Sequence, residues 1–141
     1  MHSYRRPESV LIVIHTEAEF LLLERCRPPK FWQSVTGSLE WGESADGAAR
    51  REVVEETGIT QGVLVNLQWT QVYEILAAFG KVYAPGITRN LEHAFSLRLP
   101  QRVPVTLSAR EHVRFRWMSG ADAMATASSS TNLAVIESLR F

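Results

Sequence analysis

Three glutamates within five residues constrain this chain more than any other feature of its sequence. Glu52, Glu55 and Glu56 stand at positions i, i+3 and i+4, which lie on one face of an α-helix. Like charges at this spacing cost a bare helix roughly a few tenths of a kcal/mol per pair. The same carboxylates are suitable ligands for a hard divalent cation such as Mg²⁺, which prefers oxygen atoms. The pattern therefore predicts either a metal site or a solvated acidic helix face.

The residues around the glutamates predict where this helix begins and ends. Ser44 is a suitable N-cap, Asp46 suits the positive end of the helix dipole, and Gly58 favours termination. The predicted helix therefore runs from about Ser44 to Thr57. An apolar side for packing on a sheet is provided by Ala45, Ala48, Ala49, Val53 and Val54. We expect that packing to turn the glutamates outward, toward a cleft.

The spacing of these residues resembles the Nudix box, the motif of the Nudix hydrolase family. The box is a glycine, five residues, a glutamate, seven residues, and then Arg-Glu-aliphatic-x-Glu-Glu-x-Gly-aliphatic. Every specified position is matched, by Gly37, Glu43, Arg51, Glu52, Val53, Glu55, Glu56, Gly58 and Ile59. The resemblance implies an α/β/α sandwich with a mixed β-sheet between helices. It also implies hydrolysis of a phosphoanhydride bond with Mg²⁺, or with Mn²⁺ as the alternative ion.

The rest of the chain has the patterns of strands and connecting loops. Apolar and β-branched runs predict strands at Ser9–His15, Phe20–Glu24, Val63–Leu67, Thr70–Leu76, Glu92–Leu99 and Val113–Met118. The Pro85-Gly86 pair predicts a loop before the fifth of these strands. Near the C-terminus, the apolar spacing favours a last helix, which Thr131 or Asn132 can cap.

Length and composition bound the class of protein. A chain of 141 residues, 45% hydrophobic and 21% charged, is expected to form one globular domain over residues 1–141. Its 15 basic and 15 acidic residues balance, so no overall field attracts nucleic acid or an anionic membrane. The early apolar run Val10–Ile14 is too short for a membrane span or a secretion signal, so we expect a cytoplasmic protein. The single cysteine, Cys26, is interpreted as structural.

Three further segments are similar to one branch of the Nudix family, the bacterial enzymes that act on a pterin triphosphate. They are FWQSVTGS at residues 31–38, YAPGITRN at residues 83–90, and Glu111-His112. This resemblance implies hydrolysis of 7,8-dihydroneopterin triphosphate to the monophosphate and pyrophosphate, in folate biosynthesis. Two alternatives stay open: hydrolysis of another nucleoside triphosphate, oxidised or canonical, and a Nudix-like module that binds a ligand without catalysis.

The resemblance also assigns roles in catalysis. Glu52 and Glu56 would be metal ligands, and Glu111 would be a further ligand from outside the box. Glu55 and Glu111 are both candidates for the general base, and Arg51, four residues before Glu55, can hold Glu55 in place. From the residues alone, Glu111 can equally be a surface carboxylate.

A second set of residues would line the substrate pocket. The positions that align with that pocket are Arg5, Arg25, Thr36, Tyr73, Glu74 and Ser129. Arg5 and Arg25 would balance phosphate charge, although each can also be a solvated surface cation. Glu74 would pair with the hydrogen-bond donors of the pterin ring. The expected partner is therefore a small-molecule triphosphate, without nucleic acid or membrane.

Overall fold

The structure is a computed structural model that describes residues 4–140. Its strands form one sheet and are β1 Glu8–His15, β2 Glu19–Arg25, β3 Trp32–Gln33, β4 Val35–Ser38, β5 Val63–Glu74, β6 Arg89–Arg98 and β7 His112–Ser119. Its helices are α1 Ala45–Thr57, α2 Gly120–Thr126 and α3 Ser130–Ser138, together with a 3₁₀ helix at Ala77–Val82. Within residues 4–140, no helix combines the length and the apolar character needed to cross a bilayer.

The sheet is mixed, as the resemblance implies. Strand β1 runs parallel to β6 and antiparallel to β4, and β5 is antiparallel to β6 at one edge. Strands β1 and β2 pair only where they meet in a hairpin, with His15 opposite Phe20. Beyond that point β2 pairs instead with β3 and β7. The two halves of the sheet therefore diverge from this hairpin.

Helices cover both faces of the sheet, so the expected α/β/α sandwich is confirmed. Alternate residues of β1 point to opposite faces. Val10 and Ile12 belong to the core under α1, which includes Ala48, Ala49 and Val53. Leu11 and Val13 belong to the core under α2 and α3, which includes Ala123, Val135 and Ile136. A strand buried on both faces explains the unbroken apolar run of β1.

Helix α1 begins and ends as predicted, because its boundaries depend on local capping. The Ser44 hydroxyl accepts a hydrogen bond from the Gly47 N–H at 3.0 Å. Gly58 has a positive φ of 73°, a conformation that favours glycine, and its N–H donates to the Val54 carbonyl at 2.9 Å. Each contact is made within one turn of helix.

Elsewhere the predicted boundaries need correction. The two strands expected at Val63–Leu67 and Thr70–Leu76 are one strand, β5, interrupted by an irregularity where Gln68 has a φ of 55°. The Asn66 side chain accepts the Gln68 N–H at 2.9 Å, which supports this conformation. Helix α3 is capped by Ser129, not by Thr131 or Asn132 as expected, since its hydroxyl accepts the N–H of Asn132. Strands β3 and β4 and helix α2 were not predicted, because all three are short.

Candidate active site

Helix α1 directs two of its three glutamates into the protein. Glu52 is 8% exposed and Glu56 is 1% exposed, whereas Glu55 faces solvent. The expectation that all three point outward is therefore wrong for Glu52 and Glu56. The reason is that both residues lie on the buried face of α1, which packs on β1 and β4.

Gly37 in β4 makes room for one of these carboxylates. A Cβ atom at this position would lie 2.1 Å from Cδ of Glu52 and 2.3 Å from its Oε1. No side chain fits there unless Glu52 moves. The glycine of the motif therefore permits the close approach of α1 to β4.

Arg51 connects the carboxylates of the motif. Its Nε and Nη2 donate to the two oxygens of Glu43, both at 2.8 Å, and Nη2 also donates to the Ser38 carbonyl at 3.1 Å. Its Nη1 donates to Glu52 at 2.8 Å and to Glu55 at 3.2 Å. The planar guanidinium suits this bidentate pairing. Arg51 therefore orients Glu52 as well as contacting Glu55.

Glu56 is the least compensated carboxylate of the site. Both of its oxygens are buried, and neither has a hydrogen-bond partner of good geometry in the described part of the chain. Burial raises the pKa of Glu56, and the neighbouring Glu52 and Glu111 charges raise it further, which the Thr36 N–H offsets only in part. Burial also raises the pKa of Glu52, against the opposing effect of Arg51. A bound cation would satisfy these oxygens and remove the repulsion.

Two residues far along the chain complete this cluster. Potential ligand atoms of Glu56, Glu111 and His112 lie within 4.8 Å of one another. The Glu111 carbonyl accepts the Cys26 N–H at 2.8 Å, and His112 pairs with Arg25 in the sheet, which fixes both residues beside β2. His112 Nε2 lies 3.7 Å from Glu56 Oε1. Burial, aided by the Arg25 charge, lowers the pKa of His112 to about 4, so its imidazole is neutral at pH 7.

This donor set fits a divalent metal ion. Buried carboxylate oxygens without partners, adjacent to a neutral imidazole, are an unfavourable arrangement unless a cation binds them. Carboxylates favour Mg²⁺ and Mn²⁺, and a nearby imidazole is compatible with the latter. The residues of this chain that can hold the ion are Glu52, Glu56, Glu111 and His112.

The residues predicted to line the substrate pocket do not form one group in the fold. Arg25 pairs with His112 in the sheet, and the Thr36 N–H is near enough to Glu56 to oppose the rise in the pKa of Glu56. Thr36 precedes Gly37 in β4, and its hydroxyl accepts the Gln33 amide at 3.2 Å. Arg5 is exposed and its guanidinium lies 6.0 Å from the centre of the Tyr83 ring.

The other three predicted pocket residues lie on the far side of the sheet or at its end. Tyr73 and Glu74 are the last residues of β5. Glu74 is largely exposed and forms a salt bridge with Arg89 at 3.1 Å. The Ser129 hydroxyl is used as the N-cap of α3. Ser129 therefore has a structural role whether or not a ligand also reaches it.

Comparison with known proteins identifies the family. A family model described as the NUDIX domain matches residues 5–139. The chain belongs to the Nudix family. The Nudix protein named dihydroneopterin triphosphate diphosphatase in Escherichia coli (strain K12) is 41% identical over 140 residues, which cover 95% of this chain and 92% of that protein. The protein of the same name in Haemophilus influenzae is 34% identical, with 100% of this chain and 92% of that protein covered.

Solved Nudix structures agree with this assignment. The structure of the E. coli dihydroneopterin triphosphate pyrophosphohydrolase has a TM-score of 0.88 and 40% identity to this chain, and the match covers 98% of this chain and 97% of that one. A Nudix hydrolase from Listeria monocytogenes has a TM-score of 0.80 at 20% identity, which indicates a shared fold.

Two residues of functional interest received no role from sequence reasoning. His112 belongs to the metal cluster, and its position directly after Glu111 was the indication of this role in the sequence. Glu92 is a carboxylate buried in β6, 6% exposed. The indication in the sequence was a carboxylate within a predicted strand, which is unfavourable in a buried position unless a partner is supplied.

Proposed function

We propose that this Nudix protein hydrolyses 7,8-dihydroneopterin triphosphate to dihydroneopterin monophosphate and pyrophosphate, in folate biosynthesis. The observation that carries the reaction type is the buried pair Glu52 and Glu56 beside Glu111, on a complete Nudix box, with both oxygens of Glu56 lacking a hydrogen-bond partner among the described residues. The substrate is supported by two relatives named for dihydroneopterin triphosphate that align over nearly the whole chain. Mg²⁺ is the proposed ion, with Mn²⁺ as the alternative.

The proposed roles of the ligands follow from their chemistry. When bound, a divalent cation supplies charge neutralisation for triphosphate oxygens and acidifies a coordinated water. Glu52, Glu56 and Glu111 hold it, and Arg51 keeps Glu52 in place through its bond at 2.8 Å. His112, neutral at pH 7, adds a nitrogen donor without adding charge.

The remaining groups act on the substrate and on the proton of the attacking water. Arg25 and Arg5 balance phosphate charge that the cation leaves uncompensated. A carboxylate within reach of the water accepts its proton. Glu55 and Glu111 are the two candidates, because Glu55 is exposed and contacts Arg51, while Glu111 lies at the cluster itself.

The proposal extends to the setting of the protein. We take residues 1–141 as one domain that acts on a small-molecule triphosphate in the cytoplasm. Neither nucleic acid nor membrane is proposed as a partner, since 15 basic and 15 acidic residues leave no net charge.

A substrate panel tests the proposal against its two rivals. Pyrophosphate release is measured with dihydroneopterin triphosphate, ATP, GTP and an oxidised purine nucleoside triphosphate, with and without Mg²⁺. We expect kcat/KM for the pterin compound to exceed that for ATP by at least about tenfold. Equal rates across the panel would contradict the pterin assignment and favour a general nucleotide hydrolase. Binding without Mg²⁺-dependent turnover of any compound would favour the non-catalytic module.

A further inference from the structure

Glu92 is a buried carboxylate outside the metal cluster. It lies in β6 opposite Ser9 of β1 and Gln71 of β5. Ala94, two residues later and on the same face of the strand, belongs to the core under α2 and α3. Glu92 therefore faces α3, on the opposite side of the sheet from α1. A carboxylate at such a position is costly unless something donates hydrogen bonds to it.

The neighbours of Glu92 are directed elsewhere. The Ser9 hydroxyl accepts a hydrogen bond from Asn90 Nδ2 at 2.7 Å, and the Gln71 amide points to the Thr131 carbonyl at 3.5 Å. Among the described residues, none donates to Glu92 Oε1. Burial raises the pKa of Glu92 to about 7, and the Thr131 hydroxyl offsets this only in part. Within residues 4–140, no cationic side chain is found paired with Glu92, although one normally accompanies a buried carboxylate.

A second unsatisfied acceptor lies beside it. Asn90 is 1% exposed, and its Oδ1 also has no partner in the part of the chain that the structure describes. Asn90 and Glu92 are two residues apart on one strand, so both side chains point toward α3. The partly exposed Gln71 and Tyr73 of β5 flank this pair. Two buried acceptors among neutral polar groups suit a ligand that offers N–H donors without a full positive charge.

We infer that Glu92, together with Asn90, accepts hydrogen bonds from the 2-amino group and the adjacent ring N–H of the pterin. The inference rests on the proposed function and names its ring-binding residues. A 2-amino-4-oxopteridine carries these two donors side by side, which matches the two oxygens of a carboxylate as a guanidinium does. Glu92 thereby takes the role that the resemblance suggested for Glu74, which is exposed and paired with Arg89.

The position of Glu92 relative to the metal cluster suits one elongated substrate. Ser9 lies between Glu92 and Ser38, since it pairs with both. Glu92 is thus two strands, or about 10 Å, from β4. Helix α1 packs Glu52 against that same strand at Gly37. Glu52 and Glu92 lie on opposite faces of the sheet, whose two halves diverge beyond the β1–β2 hairpin. A ring joined through a three-carbon side chain to a triphosphate is long enough to pass between the two halves, with its phosphates toward the metal.

Binding of the isolated ring tests this inference without metal or hydrolysis. Unsubstituted pterin is titrated into metal-free protein and its fluorescence is followed, for the wild type, Glu92→Gln, Glu74→Gln and the exposed control Glu137→Gln. We expect Glu92→Gln to raise Kd about tenfold to a hundredfold, because a charged acceptor is lost. Glu137→Gln leaves Kd within about twofold. Equal Kd for the wild type and Glu92→Gln, or loss of binding in Glu74→Gln instead, would overturn the inference.

A comparison of ligands keeps the inference testable if Glu92→Gln does not fold. Lumazine differs from pterin in carrying an oxo group in place of the 2-amino group. The wild-type protein is expected to bind lumazine at least about tenfold more weakly, since an acceptor then faces the carboxylate. Equal binding of the two rings would overturn the inference.

Kinetics separate this inference from the proposed function. For dihydroneopterin triphosphate, Glu92→Gln should lower kcat/KM mainly through KM, and ATP, which lacks this donor edge, should show an unchanged kcat/KM. A wild-type protein that binds pterin through Glu92 but hydrolyses the pterin triphosphate no faster than ATP would overturn the proposed function alone. A pterin-selective wild type whose KM is unaffected by Glu92→Gln would overturn the inference alone.

Discussion

Two regions of this protein bury carboxylates, and they differ in the charges that surround them. At the end of α1, Glu52 and Glu56 face each other and Glu111, with Arg51 attached to one of them. On the other face of the sheet, Glu92 stands among the neutral side chains of Asn90, Gln71 and Thr131.

The difference indicates which ligand each region can take. A group of carboxylates that repel one another is stabilised most by a cation, which interacts with all of them at once. A single carboxylate in neutral surroundings is satisfied by hydrogen-bond donors that need carry no charge. The first region therefore suits a metal ion and phosphate chemistry, and the second suits recognition of a ring.

Substitution of Glu56 should have the largest effect on catalysis in the metal region while leaving ring binding at Glu92 unchanged. Glu56→Gln is expected to lower kcat at least about a hundredfold, because the metal loses a central ligand. Glutamine is preferred to alanine here, since Glu56 is buried and alanine would leave a cavity. Affinity for unsubstituted pterin, measured by fluorescence, should stay unchanged. A parallel loss of ring binding would mean that the two regions are not independent.

The two candidates for the general base can be compared within the metal region. We expect Glu111→Gln to lower the rate about tenfold to a hundredfold and to raise the Mg²⁺ concentration needed for half-maximal rate. Glu55→Gln should lower the rate without moving that concentration, because Glu55 lies outside the 4.8 Å cluster. Initial rates over a Mg²⁺ series measure both effects. If Glu111→Gln changes neither quantity, Glu111 is only a surface acid.

Arg51 should influence catalysis through the residues it orients. Arg51→Lys keeps the charge but cannot hold Glu43 and Glu52 together, so we expect about a tenfold loss of kcat and weaker Mg²⁺ binding. Mg²⁺ affinity measured by calorimetry distinguishes this effect from a purely structural one. A lower melting temperature with unchanged Mg²⁺ affinity would limit Arg51 to fold stability.

Metal binding should also stabilise the fold. At free Mg²⁺ 100-fold above its Kd, linkage predicts about 2.7 kcal/mol of added unfolding free energy, and hence a rise of several degrees in Tm. Glu56→Gln should reduce this rise, whereas Glu92→Gln should preserve it. Thermal unfolding followed by circular dichroism gives the comparison, and an equal reduction in both variants would contradict the separation of the two regions.

The smallest expected effect concerns acid stability. The hydrogen bonds from Arg51 lower the pKa of Glu43 from 4.5 to about 2. The folded protein therefore binds this proton less readily than the unfolded chain, so the stabilisation is present above pH 4.5 and is lost as the pH falls toward 2. Urea unfolding at several pH values should show wild type and Glu43→Gln converging in this range. A constant difference between them would assign the effect of Glu43→Gln to packing.

Prediction from the sequence succeeded where the determining interactions are local. The helix boundaries at Ser44 and Gly58 depend on contacts within one turn, and they are as predicted. The backbone irregularity at Gln68 and the N-cap at Ser129 were not predicted. In each case several neighbouring residues could have occupied the position, and tertiary packing selected one of them. The predicted outward direction of Glu56 was wrong for the same reason. Helical periodicity shows which residues share a face of the helix, but packing on the sheet decides how deeply that face is buried.

The sequence by itself determined the family, the fold class and the carboxylates of α1, since these are encoded in one contiguous motif. The resemblance predicted Glu111 as a ligand together with Glu56, whereas only the tertiary structure brought His112 to them, because Glu56 and His112 lie more than fifty residues apart in the chain. Only the structure distinguished the buried Glu92 from the exposed Glu74, the carboxylate to which the resemblance assigned the pterin ring. The physical reason is that desolvation and pairing, which decide what a carboxylate binds, are properties of its surroundings in space.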